Sequence, residues 1–195
     1  AIPQYYPLVH TTFWIEYHLW KLDPAGYHIV NIALHALGSV VLYRVLLRLG
    51  LGVAVAWFAA AVFALHPVHV ESVAWITERK NVLSGLFYLS AAIAYLRFDA
   101  IRFGDVSAQP NRQITKSPDR QMPWSWYVLS LVLFILALLS KSVTCSLPAA
   151  LILMMLWQHR RLTIQRLAPL VPFFVVGLAL ALHTAHLERA NVGAV

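Results

Sequence analysis

The sequence predicts an all-α protein, a polytopic bundle of about six membrane-spanning helices. Of its 195 residues, 60% are hydrophobic and only 12% are charged, which is about half the charged fraction of a typical soluble domain. The apolar residues are concentrated in long runs that short polar stretches separate. The basic residues lie at the ends of these runs, so the net charge of +7 indicates membrane topology and argues against nucleic-acid binding.

Six apolar segments account for the predicted spans. A helix that crosses the bilayer perpendicularly needs about 20 apolar residues, and several of the segments are shorter. We therefore expect flanking turns to lengthen some spans and others to lie partly within protein. The segments are Tyr27–Arg48, Val53–Leu65, Val82–Phe98, Trp124–Leu139, Val143–Trp157 and Leu167–His183.

Residues at the ends of the first two segments indicate where each span meets the membrane interface. Arg44 and Arg48 lie in the last turns of the first segment, where their long side chains can extend to the membrane interface. The second segment, Val53–Leu65, is the shortest, and we expect Gly50 to Gly52 and His66 to extend it.

The distribution of Lys and Arg predicts the orientation of the bundle. Cytoplasmic connections of membrane proteins carry an excess of these residues. One set of connections holds ten of the fifteen, and we assign it to the cytoplasm: Arg44, Arg48, Arg97, Arg102, Arg112, Lys116, Arg120, Arg160, Arg161 and Arg166. The opposite set is assigned to the outer face: Lys21, Arg79, Lys80, Lys141 and Arg189. Most of the histidines and glutamates fall on that outer face, so we expect the working surface there.

This topology divides the chain into four regions. The polar connection Asp99–Pro123 has three prolines and mixed charge, which predicts a disordered or loosely ordered cytoplasmic linker. The sequence opens without an initiator methionine or a signal peptide, so we expect a piece of a longer protein. The regions are an outer loop at 1–26, three spans at 27–98 with an outer motif at 66–81, the cytoplasmic loop at 99–123, and three spans with an outer tail at 124–195.

The segment from His66 to Ser84, HPVHVESVAWITERKNVLS, is a polar stretch between two apolar segments. Ionisable groups are costly in hydrocarbon and commonly mark functional sites in membrane proteins. His66, His69 and Glu71 are ligand types that zinc accepts, but Pro67 interrupts the helix and the helical HExxH pattern is absent. Three interpretations stay open: a metal site, an interfacial turn whose imidazoles bond to backbone or water, and a substrate-binding site.

Arg79 and Lys80 are adjacent and directly precede an apolar segment on the face where positive charge is disfavoured. They either anchor the helix at the interface or bind an anionic lipid phosphate, for which Arg offers a planar fork and Lys a mobile charge. The topology places Lys141 on the same face. His28, Asn31 and His35 share one face of the first span, which favours helix packing or the lining of a donor cavity.

Three stretches resemble a known family, the transmembrane and tetratricopeptide-repeat-containing O-mannosyltransferase-like proteins and their bacterial relatives. They are FALHPVHVESVAWITERKNVLSGLFYL (Phe63–Leu89), YYPLVHTTFWIEYHLWKLDPAGYHIVNIALHAL (Tyr5–Leu37) and LLSKSVTCSLPAALIL (Leu138–Leu153). The resemblance implies a GT-C-type helical bundle that transfers a sugar from a polyprenyl- or dolichyl-phosphate donor to a protein hydroxyl. It implies membrane lipid, that donor and an acceptor protein as partners, and no cofactor, no metal and no nucleic acid.

The resemblance also implies where the site lies. The working face would be extracytoplasmic or lumenal, in a multi-pass protein of the bacterial inner membrane or the endoplasmic reticulum. The catalytic base is expected upstream of Ala1, and Glu16 is not assigned to that role. Donor-phosphate binding or site shaping is expected of His66, His69, Glu71, Arg79, Lys80 and Lys141.

A different class of function competes with this one. A non-catalytic membrane scaffold, or an assembly subunit that binds lipid phosphate, would have the same composition and topology. A transporter is disfavoured because the ionisable residues gather at one surface and no pair of Gly- or Pro-broken half-helices stands out.

Overall fold

The computed structural model describes residues 6–103, 123–159 and 162–192, and this part of the chain is helical without a strand. Short 3-10 turns at Pro67–His69, Ile76–Glu78, Ser142–Ser146 and Ala168–Leu170 connect some of the helices. The α-helices are α1 (Pro7–Trp20), α2 (Pro24–Arg48), α3 (Val53–Leu65), α4 (Val70–Ala74), α5 (Arg79–Phe103), α6 (Pro123–Ser140), α7 (Leu147–His159), α8 (Ile164–Leu167) and α9 (Val171–Val192). The all-α polytopic fold is thus confirmed, and helix α1 occupies much of the predicted outer loop at 1–26.

The prediction of six spans is slightly too high. Within the described residues, four helical stretches are long and apolar enough to cross a membrane: Pro24–Arg48, Ile76–Phe103, Ser142–His159 and Ile164–Leu187. Helix α3 has 13 residues and bends by 46° into Pro67–Ala74, which gives a fifth span only if the bent pair counts as one. The apolar helix Trp124–Ser140 extends about 26 Å, short of the ~30 Å hydrocarbon core. All six apolar segments are helical, but two of them are too short to cross the membrane alone. They are Val53–Leu65, where the helix ends just before Pro67, and Trp124–Leu139.

Local chemistry sets the ends of α2 and α3. The Asp23 carboxylate accepts a hydrogen bond from the Ala25 N–H at 3.0 Å, and Pro24 occupies the first turn, where no N–H is needed. Gly50 adopts a φ of 87°, a left-handed conformation that glycine tolerates best, and its N–H bonds to the Leu47 carbonyl at 3.1 Å. Gly50 therefore ends the preceding helix and does not extend α3 as expected; α3 begins after Gly52.

Helix α5 is the central element and packs most extensively on α6 and α2. Its buried side chains Tyr95 and Phe98 meet Phe134 of α6 and Phe173 of α9 in an aromatic core. By contrast, α3 exposes large apolar side chains, among them Trp57 and Phe58, which are both 66% exposed. A helix that is apolar on its outer side is suited to lipid contact.

The predicted linker Asp99–Pro123 is wrong at its start, because α5 continues through Asp99 to Phe103. Asp99 is 2% exposed and accepts hydrogen bonds from Arg166 at 2.9 Å and from His159 at 3.2 Å. A charged residue at the end of an apolar run suggested a loop, but this carboxylate is buried between the side chains of Arg166 and His159. Residues 104–122 of the predicted linker lie outside the described residues.

Candidate functional site

The predicted outer residues meet at one end of the bundle, which we call the site end. Here Lys141, which follows α6, contacts Asn81 of α5, while Arg79 contacts α1 and α2. The contacts of Asp99 lie at the other end of α5, 20 residues and about 30 Å from Arg79. Among the charge-count residues that the structure describes, Arg79 and Lys141 therefore lie near one end of α5 and Arg166 near the other.

Arg79 is fully buried at the site end. Its Nε donates to Asn31 Oδ1 at 2.6 Å and its Nη2 donates to the Tyr27 carbonyl at 3.0 Å. Its Nη1 forms an ion pair with Glu16, and the guanidinium lies 4.9 Å from the ring centre of Phe13. Arg79 thus holds the start of α5 against both α1 and α2.

Asn31 extends this buried network to the segment after α3. Its side-chain amide donates to the backbone carbonyls of Val73 at 3.3 Å and Trp75 at 3.2 Å. These carbonyls lie at the end of α4, where the last helical carbonyls lack intrahelical partners. One asparagine therefore couples Arg79 to the turn that follows α4, and this contact explains a polar residue inside an apolar helix.

A cavity of about 440 Å³ opens between α2, α5 and the turn after α6. Its polar lining includes His35, His69, Ser72, Asn81, Lys141 and Thr144, and much of the remaining wall is apolar. A concave, mostly apolar site with a few convergent polar groups is typical of small-molecule binding. Arg79, by contrast, does not line this cavity.

Lys141 provides the positive charge of the cavity wall. Its ammonium donates to Asn81 Oδ1 at 2.6 Å, and its backbone carbonyl accepts from the Thr144 hydroxyl at 2.7 Å. The Asn81 amide in turn donates to Glu78 at 2.8 Å and to the Ser72 hydroxyl at 3.0 Å. Among the described residues no carboxylate pairs directly with Lys141. Its charge is therefore held in place by a neutral amide.

Lys80 points elsewhere. Its ammonium lies 3.1 Å from Glu78 Oε1 and 5.5 Å from the ring centre of Tyr6. Successive side chains of a helix project in directions about 100° apart around its axis. The side chains of residues 79, 80 and 81 therefore do not easily reach the same ligand atom. Arg79 faces the interior, Lys80 faces Glu78, and Asn81 faces the cavity.

The fold keeps His66 and His69 together on the wall of a second cavity, described below, and leaves Glu71 outside it. His69 also lines the 440 Å³ cavity, with its ring 4.4 Å from that of Phe63 and 5.3 Å from that of His35. His66 is exposed, and its Nδ1 accepts from the Val68 N–H at 3.2 Å, which caps the turn after α3. Glu71 is exposed and lies outside the lining of the 440 Å³ cavity as well.

A second cavity, of about 560 Å³, lies on the other side of His35 and His69. His28 and His66 also line it, and the rest of its wall is apolar. The His35 imidazole is held by the Ala64 carbonyl at 3.2 Å, so this ring stands between the two cavities. Over the described residues, no three His, Cys, Asp or Glu side chains are arranged to hold a metal ion.

Sequence reasoning missed Asn81, Ser72 and the pairing of Glu16 with Arg79. Topology alone predicts the end of the bundle at which a residue lies, but not the direction in which its side chain points. The sequence did offer a signal for Asn81. It is a polar residue in the first turn of a largely apolar helix, next to Arg79 and Lys80.

The chain is 34% identical over 137 residues, 70% of its length, to protein O-mannosyl-transferase TMTC3 of Mus musculus. It is 38% identical over 96 residues to protein O-mannosyl-transferase F38B6.6 of Caenorhabditis elegans and 37% identical over 107 residues to human TMTC4, in each case across 48% of the chain. The chain is similar to the TMTC protein O-mannosyl-transferases. The family resemblance drawn from the three sequence stretches is thereby confirmed.

The match covers only part of the relatives. The chain spans 13% of the length of mouse TMTC3 and 14% of the length of human TMTC4. No family model and no solved structure matches the chain.

Proposed function

We propose that this chain forms the donor side of a membrane glycosyltransferase that transfers a sugar from a polyprenyl- or dolichyl-phosphate carrier to a protein hydroxyl. The observation that carries the proposal is the Lys141 ammonium on the wall of the 440 Å³ cavity. The relatives are named protein O-mannosyl-transferases, which supports mannose as the sugar and a protein as the acceptor.

In the proposed reaction the acceptor oxygen attacks the anomeric carbon, and the bond from that carbon to the phosphate oxygen breaks. The phosphate leaves with the bonding electrons, and a base takes the acceptor proton. Lys141 would stabilise the negative charge that develops on the leaving phosphate. A positioned cation does this well in a poorly solvated cavity, where charges interact strongly.

The remaining predicted site residues take different parts in this proposal. His69 would contact the donor from the cavity wall, and Arg79 would position α5 from the interior without touching phosphate. Lys80, His66 and Glu71 would lie at the rim, where they can meet the carrier or the acceptor. No carboxylate of the described residues lines the cavity, so the proposal gives the role of base to none of them.

Replacing Lys141 with alanine is expected to lower kcat/KM for mannosyl transfer by about 10- to 100-fold, because hydrogen bonds to a charged group contribute about 1.5–3 kcal/mol. The measurement uses full-length protein, a polyprenyl-phosphate mannose donor and an acceptor polypeptide. Lys141→Arg keeps the charge and should lose less activity. Lys21→Ala, which removes an exposed cation near Tyr17 at the same end, is the matched control. Equal activity of Lys141→Ala and wild type would overturn the phosphate role.

The proposal places the site end on the extracytoplasmic or lumenal side, as the charge count predicts. Thr77 is exposed there, between α4 and α5. In a Cys145→Ser background, a cysteine introduced by Thr77→Cys is expected to react with a membrane-impermeant maleimide added outside spheroplasts, or added to microsomes only after they are permeabilised. Labelling from the cytoplasmic side alone would contradict this orientation. The Cys145→Ser protein without the new cysteine provides the background signal.

A further inference from the structure

A third cavity, of about 370 Å³, lies between α2 and α5 and is lined by three arginines and two aliphatic residues: Arg44, Arg48, Arg97, Leu47 and Ile93. It is separate from the Lys141 cavity, since Asn81 and Arg97 are 16 residues and about 24 Å apart along α5. The proposed glycosyltransferase reaction does not use it.

The three guanidinium groups come together because of helix geometry. Arg44 and Arg48 are four residues apart on α2 and so share one face of that helix. Arg97 follows Ile93 by one turn on α5, the helix against which α2 packs. Arg44 and Arg97, which both line the cavity, repel each other unless an anion joins them.

Two of the guanidinium groups are held in position. Arg48 donates to the Leu96 carbonyl at 3.5 Å, and the Arg97 guanidinium lies 4.4 Å from the ring centre of Trp126. Arg44 is exposed. Within the described part of the chain, neither Arg44 nor Arg97 forms an ion pair with a carboxylate.

We propose that this cavity binds the phosphate group of an anionic phospholipid. Arginine forks match phosphate oxygens in pairs, and basic pockets between membrane helices on the cytoplasmic side recognise anionic headgroups. The aliphatic side chains of Leu47 and Ile93 suit the start of the acyl region. An anionic lipid is favoured over free phosphate because the cavity lies between two helices that are long and apolar enough to cross a membrane.

Native mass spectrometry of the full chain tests this proposal, with phosphatidylglycerol as the probe and phosphatidylcholine as the neutral comparison. We expect tighter binding of phosphatidylglycerol, and a loss of about fivefold in its affinity for Arg44→Gln and for Arg97→Gln, since each basic side chain contributes about that factor near an anionic lipid. Arg102→Gln is the matched control. It removes the same charge from the same helix, but Arg102 stacks on Trp124 at 4.9 Å outside the cavity.

Three results would overturn the proposal. The first is unchanged affinity in both the Arg44 and Arg97 variants. The second is an equal loss in Arg102→Gln, which would indicate an effect of total charge. The third is displacement of phosphatidylglycerol by millimolar inorganic phosphate, which would indicate a site for soluble anions. Arg44 is exposed, so Arg44→Gln decides the test even if Arg97→Gln, which loses its contact with Trp126, fails to fold.

Discussion

Replacing Arg79 with alanine is expected to lower the free energy of unfolding by about 3–5 kcal/mol, the range for removing one partner of a buried ion pair. The substitution leaves Glu16, which is 5% exposed, without its cation, and removes the hydrogen-bond donors of Asn31 Oδ1 and the Tyr27 carbonyl. Unfolding in mixed micelles, followed by far-UV circular dichroism, measures the loss. Lys80→Ala is the matched control, because its partly exposed pair with Glu78 should contribute at most about 1 kcal/mol.

A double substitution separates the ion pair from the other contacts of Arg79. Burying two charges is costly, and replacing both by apolar residues is often neutral or stabilising. We therefore expect Glu16→Leu combined with Arg79→Met to be more stable than Arg79→Met alone. If the two single losses simply add, the Glu16 contact contributes nothing, and Arg79 acts in the interior only through Asn31 and the Tyr27 carbonyl.

The ends of the bundle were predictable from the sequence, because hydropathy and charge both report position along the membrane normal. Lys141 and the start of α5 are far apart in sequence, yet the topology correctly put them at one end. Hydropathy and charge do not show how a helix is rotated about its own axis. Helix α3 is apolar on every side, so no periodicity marks the face that packs.

The difference between Arg79 and Lys80 shows this limit most clearly. As neighbours in sequence they looked like one phosphate-binding pair. In the fold one is fully buried and the other is partly exposed. What decides between them is the position of Glu16 and Asn31, on two other helices, and a single sequence does not reveal such distant partners.

Asp99 is a second case in which tertiary contacts override a local signal. A carboxylate after an apolar run is commonly the start of a solvated loop. Here Arg166, 67 residues further along the chain, supplies the opposite charge. An ionised group inside a fold requires such partners, so its burial depends on a residue that the local pattern does not contain.

Replacing Asp99 with alanine is expected to lower the free energy of unfolding by about 2–4 kcal/mol, since the Arg166 and His159 side chains are only 15% and 14% exposed and would lose their acceptor. The loss should stay below that of Arg79→Ala because these two side chains retain some contact with solvent. Asp99→Asn keeps the shape and one acceptor oxygen, and should fall between wild type and Asp99→Ala.

A double-mutant cycle between Asp99 and Arg166 identifies the partner. We expect a coupling energy of about 1–3 kcal/mol, because the two side chains share a hydrogen bond of 2.9 Å in a largely buried site. Pairing Asp99→Ala with Arg102→Ala is the matched control, since Arg102 lies near the same end of α5 and stacks on Phe98 and Trp124. A coupling to Arg166 no larger than that to Arg102 would mean that general charge, and not this contact, holds the start of α8 against α5.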